Sequence, residues 1–153
     1  TVHPWTLLDT GVTAEMMDEA DSLLMPGREV HRLSFPWPHR TCDFAGSNEY
    51  VADEAAKDPA SAALMLVHPG MTGDSVARQV EAKGFLGLKP YRFYATSGDA
   101  VNCPITEFMP EHQIAVAHAY GLIIMMHISS GMPSPTRGAR ASRTAPGQKP
   151  WAA

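Results

Sequence analysis

The six residues Ala62-Ala63-Leu64-Met65-Leu66-Val67 constrain this chain more than any other feature. The run has no polar position on either of its alternating faces, and His68-Pro69-Gly70 closes it at once. A strand apolar on both faces must be covered on both sides, which is the condition of a parallel sheet packed under crossover helices. The residues that follow fit that reading. Thr72 is placed to cap a helix over Gly73–Lys83, with Asp74 in its first turn, Val76 and Val80 on one face, and Lys83-Gly84 at its end. Phe85–Lys89 reads as a second strand stopped by Pro90. Pro110 opens a helix over Glu111–Tyr120, Gly121 supplies its C′ position, and Leu122–His127 reads as a third apolar strand. Strand, helix, strand, helix, strand, each strand apolar throughout, is the pattern of a parallel α/β sheet with right-handed crossovers.

The flanks are less regular. Thr13 is placed to cap a helix over Ala14–Leu24, ended by Pro26-Gly27. Glu29–Phe35 reads as a strand running into Pro36-Trp37-Pro38, and Ser47 as the cap of a helix over Asn48–Lys57 with Tyr50, Val51 and Ala55 on its apolar face. From Gly131 onward four Pro, three Gly and no aliphatic residue larger than Ala except Met132 cannot build a core. The sequence therefore divides into a folded unit over 1–130 and a disordered Pro/Gly-rich tail over 131–153, whose composition also suits the out-of-frame end of a longer gene. Because the first residue is Thr1, the sequence is also expected to start within a longer chain or after processing.

Charge and composition exclude several classes. The net charge of −4 combines +4 in the tail, from Arg137, Arg140, Arg143 and Lys149, with −8 over residues 1–130. So acidic a body argues against a nucleic-acid partner. The apolar runs are far too short to span a bilayer, and no secretory signal opens the sequence, so the expected setting is cytoplasmic, away from membranes. Cys42 and Cys103 alone make neither a disulfide scaffold nor a zinc ribbon.

In parallel α/β folds ligands bind at the carboxyl ends of the strands. His68 follows the first strand of the regular part, Lys89 ends the second with Tyr91, Arg92 and Tyr94 just beyond, and His127 ends the third. A His at a strand end is more often structural than functional, but His127 follows five apolar residues and needs a partner there. Lys89 sits among buried positions, where it either snorkels to the rim or serves as a desolvated base, a carbamate-forming amine or an anion clamp. Tyr91 and Arg92 suit a carboxylate or phosphate, and an ion pair equally well. No metal-protease, nucleotide-loop or nucleophile-elbow motif is present.

Gly84-Phe-Leu-Gly-Leu-Lys89-Pro-Tyr, Ile105 to Pro110, and His118-Ala-Tyr-Gly-Leu-Ile-Ile-Met-Met-His127 together resemble the middle of the amidohydrolase-related superfamily of metal-dependent hydrolases. The resemblance covers roughly 61–129. It implies an incomplete (β/α)8 barrel with parallel strands, extending from the start to strand five. It implies His127 as a ligand of a divalent metal, zinc, and Lys89 as the fourth-strand position that bridges metals as a carbamate in some subgroups. Lys89 is then the catalytic residue, with His68, Tyr91 and Arg92 binding substrate. The first-strand His-x-His pair of the family is missing, as are the ligands of its later strands. The expected protein is thus a fragment of a hydrolase that attacks a small anionic organic substrate with a metal-activated water, binding metal weakly or not at all and inactive in this form. The alternatives are a metal-dependent decarboxylase of the same superfamily, a non-catalytic α/β module that pairs or self-associates through open strand edges, and a domain holding a phosphorylated metabolite, which lacks the usual Gly-rich loop.

Overall fold

A computed structural model of the chain describes residues 11–127; the tail expected over 131–153 lies outside them. The architecture is α/β. Strands β1 (Leu33–Ser34), β2 (Ala62–Val67), β3 (Gly87–Pro90) and β4 (Ile123–Ile124) form one parallel sheet. Their order in space is their order along the chain. Helices α1 (Ala14–Leu24), α2 (Phe44–Ala55), α3 (Gly73–Lys83), the one-turn α4 (Ile105–Phe108) and α5 (Glu111–Ala119) fill the connections, with a 3₁₀ turn at Arg92–Tyr94.

The core forms on one face of the sheet. Successive strand residues point to opposite faces. Ala63, Met65 and Val67 of β2 and Leu88 of β3 pack with Ala52 and Ala55 of α2, Val76 and Val80 of α3, Phe108 of α4 and Ala117 of α5. Right-handed crossovers between strands taken in sequence put the connecting helices α2, α3, α4 and α5 on that same face, and α3 accordingly packs against both α2 and α5. Burial of each large apolar side chain contributes about 1.5–3 kcal/mol. On the opposite face Leu64 and Leu66 are also fully buried, as the doubly apolar sequence requires.

Two local devices hold the sheet. Gly87 faces Ile123 across the β3–β4 ladder, and a Cβ there would overlap the Ile123 carbonyl oxygen. The second device is Asn48, buried on α2. Its Nδ2 donates to the Leu66 carbonyl at 3.0 Å and its Oδ1 accepts from the Leu66 N–H at 2.8 Å. Alternate residues of β2 direct both backbone groups toward β1, as the Ala62 N–H bond to the Arg32 carbonyl shows. Since β1 ends at Ser34, the Asn48 amide stands in for the missing stretch of neighbouring strand.

The sequence-predicted helices Ala14–Leu24, capped by Thr13, and Gly73–Lys83, capped by Thr72 and ended by Gly84 in the left-handed region, form as expected. So does β2 over all its residues. Four expectations are corrected. The strand read over Glu29–Phe35 pairs only at Leu33–Ser34, because Pro36, which would donate to Leu64 next in the register, has no N–H, and Asn48 then takes the Leu66 groups. The helix read from Ser47 begins at Phe44 with Asp43 as its cap, since the Asp43 carboxylate accepts from the Gly46 N–H, whereas Ser47 turns toward Cys42. The second strand occupies Gly87–Pro90, and Pro90 is its last residue instead of the stop beyond it. The third strand of the regular part pairs only at Ile123–Ile124, both exposed, because β3 offers it so short an edge. Among the described residues no helix is long and apolar enough to cross a membrane.

Candidate functional site at the carboxyl rim of the sheet

Register and alternation place the candidate residues together. Leu66 pairs with Lys89 and Gly87 with Ile123. Continued two residues at a time, the same register sets Leu66, Lys89 and Met125 in one row and His68, Tyr91 and His127 in the next, at the carboxyl ends. All six positions belong to the face away from the helices.

Lys89 is the buried member, with 3% of its surface exposed. Its Nζ donates to the Met125 carbonyl at 3.1 Å. The amine also lies over two rings, 4.6 Å from the centroid of Tyr91 and 5.0 Å from that of Phe35. Burial pulls its pKa below the ordinary lysine range. Lys57 and Lys83 differ: both pair with carboxylates, Lys57 with Glu15 and Glu54 and Lys83 with Glu49 and Asp53, and both are shifted upward by those bonds.

A continuous chain of rings crosses the rim. His127 stacks on Tyr91 at 5.4 Å, Tyr91 meets Phe93 at 5.7 Å, and Phe93 meets Tyr94 at 4.1 Å. Tyr94 meets Phe44 at 5.1 Å, and Phe44 meets His68 at 4.4 Å. His68 thus turns toward α2. Its Nδ1 accepts from the Gly70 N–H at 3.1 Å, which leaves the ring proton on Nε2, and burial lowers its pKa. The loop after β2 is clamped from α5, where buried Gln113 donates to the His68 and Met71 carbonyls and the His112 ring reaches the Met71 carbonyl. Tyr94 donates to the His39 carbonyl at 3.0 Å, and burial, with Cys42 adding to it, pushes its hydroxyl up to about 12. Burial raises Tyr91 as well.

The structure therefore brings Lys89, Tyr91 and His127 into one group and links His68 to it through Phe44, Tyr94 and Phe93. The Arg92 guanidinium donates to the Val101 carbonyl in the loop that follows. Phe35, Phe44 and Phe93 were not among the candidates. Phe35 had a signal, since it stands two residues after Leu33 and so shares the face of Leu64, Leu66 and Lys89; nothing in the sequence marks Phe44.

The metal implied by the resemblance does not fit the described residues. A catalytic zinc typically takes three protein ligands whose donor atoms lie about 2.0–2.3 Å from it. Here the Tyr91 row position separates His68 from His127, His68 packs tilted against Phe44 while His127 stacks on Tyr91, and Lys89 is held by a carbonyl and two rings. Among the described residues no three His, Cys, Asp or Glu side chains converge. A separate cavity of about 780 Å³ opens at the outer edge of β1, lined among others by Val12 and Met17 of the α1 end, Leu33 and Phe35, and Tyr50 and Val51 of α2. Phe35 is its one wall in common with the Lys89 cluster. No family model, curated protein or solved structure matches this chain.

Proposed function

We propose that the chain is a (β/α) barrel segment of the amidohydrolase-related type whose carboxyl rim binds a small anionic organic molecule. The observation that carries this reading is the placing of Lys89, Tyr91 and His127 on one face at the carboxyl ends of parallel strands that follow one another in chain order. Strands in that order with the helices that join them packed on one face are what a (β/α) barrel needs, and they put Lys89 on what would be the barrel's inner wall. A desolvated ammonium with no carboxylate partner among the described residues favours a ligand that brings the negative charge. The aromatic rings beside it suit an organic body. The hydrolysis or decarboxylation implied by the resemblance would need metal ligands beyond those described, so the described rim is assigned binding and orientation.

The test is a titration of isotopically labelled chain with small mono- and dicarboxylates, followed by NMR. Saturable shifts confined to Lys89, Tyr91 and His127, lost in Lys89→Met, are expected. Shifts scattered over the surface, or unchanged by Lys89→Met, would refute it. Zinc added to the monomer is expected to bind more weakly than micromolar, and tighter binding would contradict the assignment of an incomplete metal site.

A second reading, pairing through open edges, is favoured by the exposure of Leu33 and Phe35 at one side of the sheet and Ile123 and Ile124 at the other. It expects concentration-dependent dimers in sedimentation that dissociate when Ile123 and Ile124 are changed to Lys. A monomer at all concentrations removes this reading.

A further inference from the structure

We infer that the outer edge of β1 takes an extended, basic peptide segment of another polypeptide, which pairs with Leu33 and Phe35 and fills the cavity beside them. The inference goes beyond both readings above. It shares with the second only the open edge at β1, and it names a different occupant for that edge.

The backbone of β1 is arranged for a further strand. Arg32 and Ser34 direct their backbone groups toward β2, as the parallel register and the Ala62 N–H bond to the Arg32 carbonyl show. Leu33 and Phe35 therefore direct theirs outward, and among the described residues those N–H and carbonyl groups have no partner. Donors and acceptors that repeat at every second residue along an edge match an extended main chain better than a compact small molecule. Space for such a chain is present. Helix α1 lies beyond β1 beside α2, tied there by Asp18 and Asp21 to Arg32 and by Glu15 to Lys57, yet none of its residues is buried. The cavity of about 780 Å³ opens between Met17 of α1, Leu33 and Phe35, and Val51 of α2. A strand set one ladder spacing outside β1, about 4.8 Å away, would run along this cavity and give α1 an apolar partner.

Charge selects the occupant. Residues 11–61, which build this side of the molecule, carry ten Asp and Glu against four Lys and Arg. The basic residues that line the cavity are already neutralised, Arg32 by Asp18 and Asp21 and Lys57 by Glu15 and Glu54. Asp43, also in the lining, accepts from the Gly46 N–H and has no basic partner among the described residues. A basic segment is drawn to such a surface and an acidic one repelled. A second copy of this chain would bring the same acidic surface against β1, which counts against it as the occupant.

The experiment uses the whole 153-residue chain and two fluorescein-labelled peptides, Lys-Val-Lys-Val-Lys-Val-Lys and its counterpart with Glu in place of Lys, read by fluorescence anisotropy in low salt. Saturable binding of the basic peptide, about tenfold or more tighter than the acidic one and weakening as salt rises, is expected. Two further measurements tie that binding to the edge. Amide exchange at Leu33 and Phe35 is expected to slow by about tenfold or more at saturation, with Ile124 at the opposite edge unchanged. Basic peptides N-methylated either at every Lys or at every Val lose alternate sets of main-chain donors, and one of the two is expected to bind about tenfold more weakly than the other. Equal binding of the basic and acidic peptides would overturn the inference, as would binding that leaves Leu33 and Phe35 exchanging as before. So would the absence of binding, and so would a dimer through β1 that the peptide cannot displace, which would give the edge to a second copy. None of these outcomes decides the rim reading, whose test is carboxylate binding at Lys89.

Discussion

Replacing Asn48 by Ala removes the side chain that completes β2, and the structure sets the size of the effect. Asn48 is 1% exposed and Leu66 is fully buried. The change therefore strands two backbone groups, the Leu66 N–H and carbonyl, where water cannot reach them without opening the packing between α2 and β2. Each buried group left unpaired costs about 1–3 kcal/mol, so the sum is about 2–6 kcal/mol. That is a large part of the ~5–15 kcal/mol by which a domain of this kind is stable. The assay is urea unfolding at 25 °C followed by circular dichroism, with Ser47→Ala as the control. Ser47, the residue the sequence singles out as the helix cap, only touches the Cys42 sulfur at 3.4 Å, and its loss is expected to cost less than about 0.5 kcal/mol. Because β2 runs directly into His68, Asn48→Ala should also speed amide exchange at Leu66 and through the His68–Gly70 turn. An Asn48→Ala chain within 0.5 kcal/mol of the parent, or a Ser47→Ala chain that loses as much, would refute the argument that a side-chain amide replaces strand pairing here.

Gly87→Ala is expected to cost about 1–3 kcal/mol and to release Ile123 and Ile124 from protection against hydrogen exchange, since the new methyl must push β4 away; unchanged protection would contradict the close approach. All four tyrosines, Tyr50, Tyr91, Tyr94 and Tyr120, are shifted upward, Tyr94 to about 12. A spectrophotometric titration of the folded chain should therefore show tyrosinate only above pH 10, and an early rise below that would count against the buried ring chain. Asp58 is lowered to about 2, by the Ser61 hydroxyl first and then by His31, and His31 is raised in return. The carboxylate's folded value lies below its ordinary 3.8, so its stabilisation is complete above that value and is lost as pH falls toward 2. The His31 share is complete below 6.5 and is lost as pH rises through its higher folded value. The difference in melting temperature between the parent and Asp58→Asn should thus be largest between these limits, and a flat difference would refute the pairing.

The parts of the fold legible in the sequence are those where local signals agree. Thr72, Val76, Val80 and Gly84 specify α3 from cap to end, and Ala62–Val67 specifies a strand buried on both faces. What escaped were boundaries set by partners distant in sequence. β1 stops at Ser34, ahead of Pro36, and an amide from α2 takes up the Leu66 groups beyond it, while β4 is short because β3 is short. Ser47 and Asp43 are both good caps; Asp43 takes the role because Phe44 belongs inside the helix, where its ring reaches His68 and Tyr94. At the rim, the spacing of His68, Lys89 and His127 at strand ends was readable, and parallel pairing delivers all three to one end of the sheet. The ring chain was not readable, since it depends on Phe44 and Phe93 arriving from elements with no shared periodicity. Arg92 follows Tyr91 at the rim, and its guanidinium donates to the Val101 carbonyl.

The amine of Lys89 is where the account is most exposed to measurement. A ¹³C or ¹⁵N NMR titration of the lysine side chains in the folded chain reads Lys89, Lys57 and Lys83 in one experiment. Lys89 is expected to titrate below the ordinary lysine value of 10.5, and Lys57 and Lys83 above it. A Lys89 that titrates at or above Lys57 and Lys83 would mean that its amine is solvated or paired with an acid, and the anion site would not survive that result.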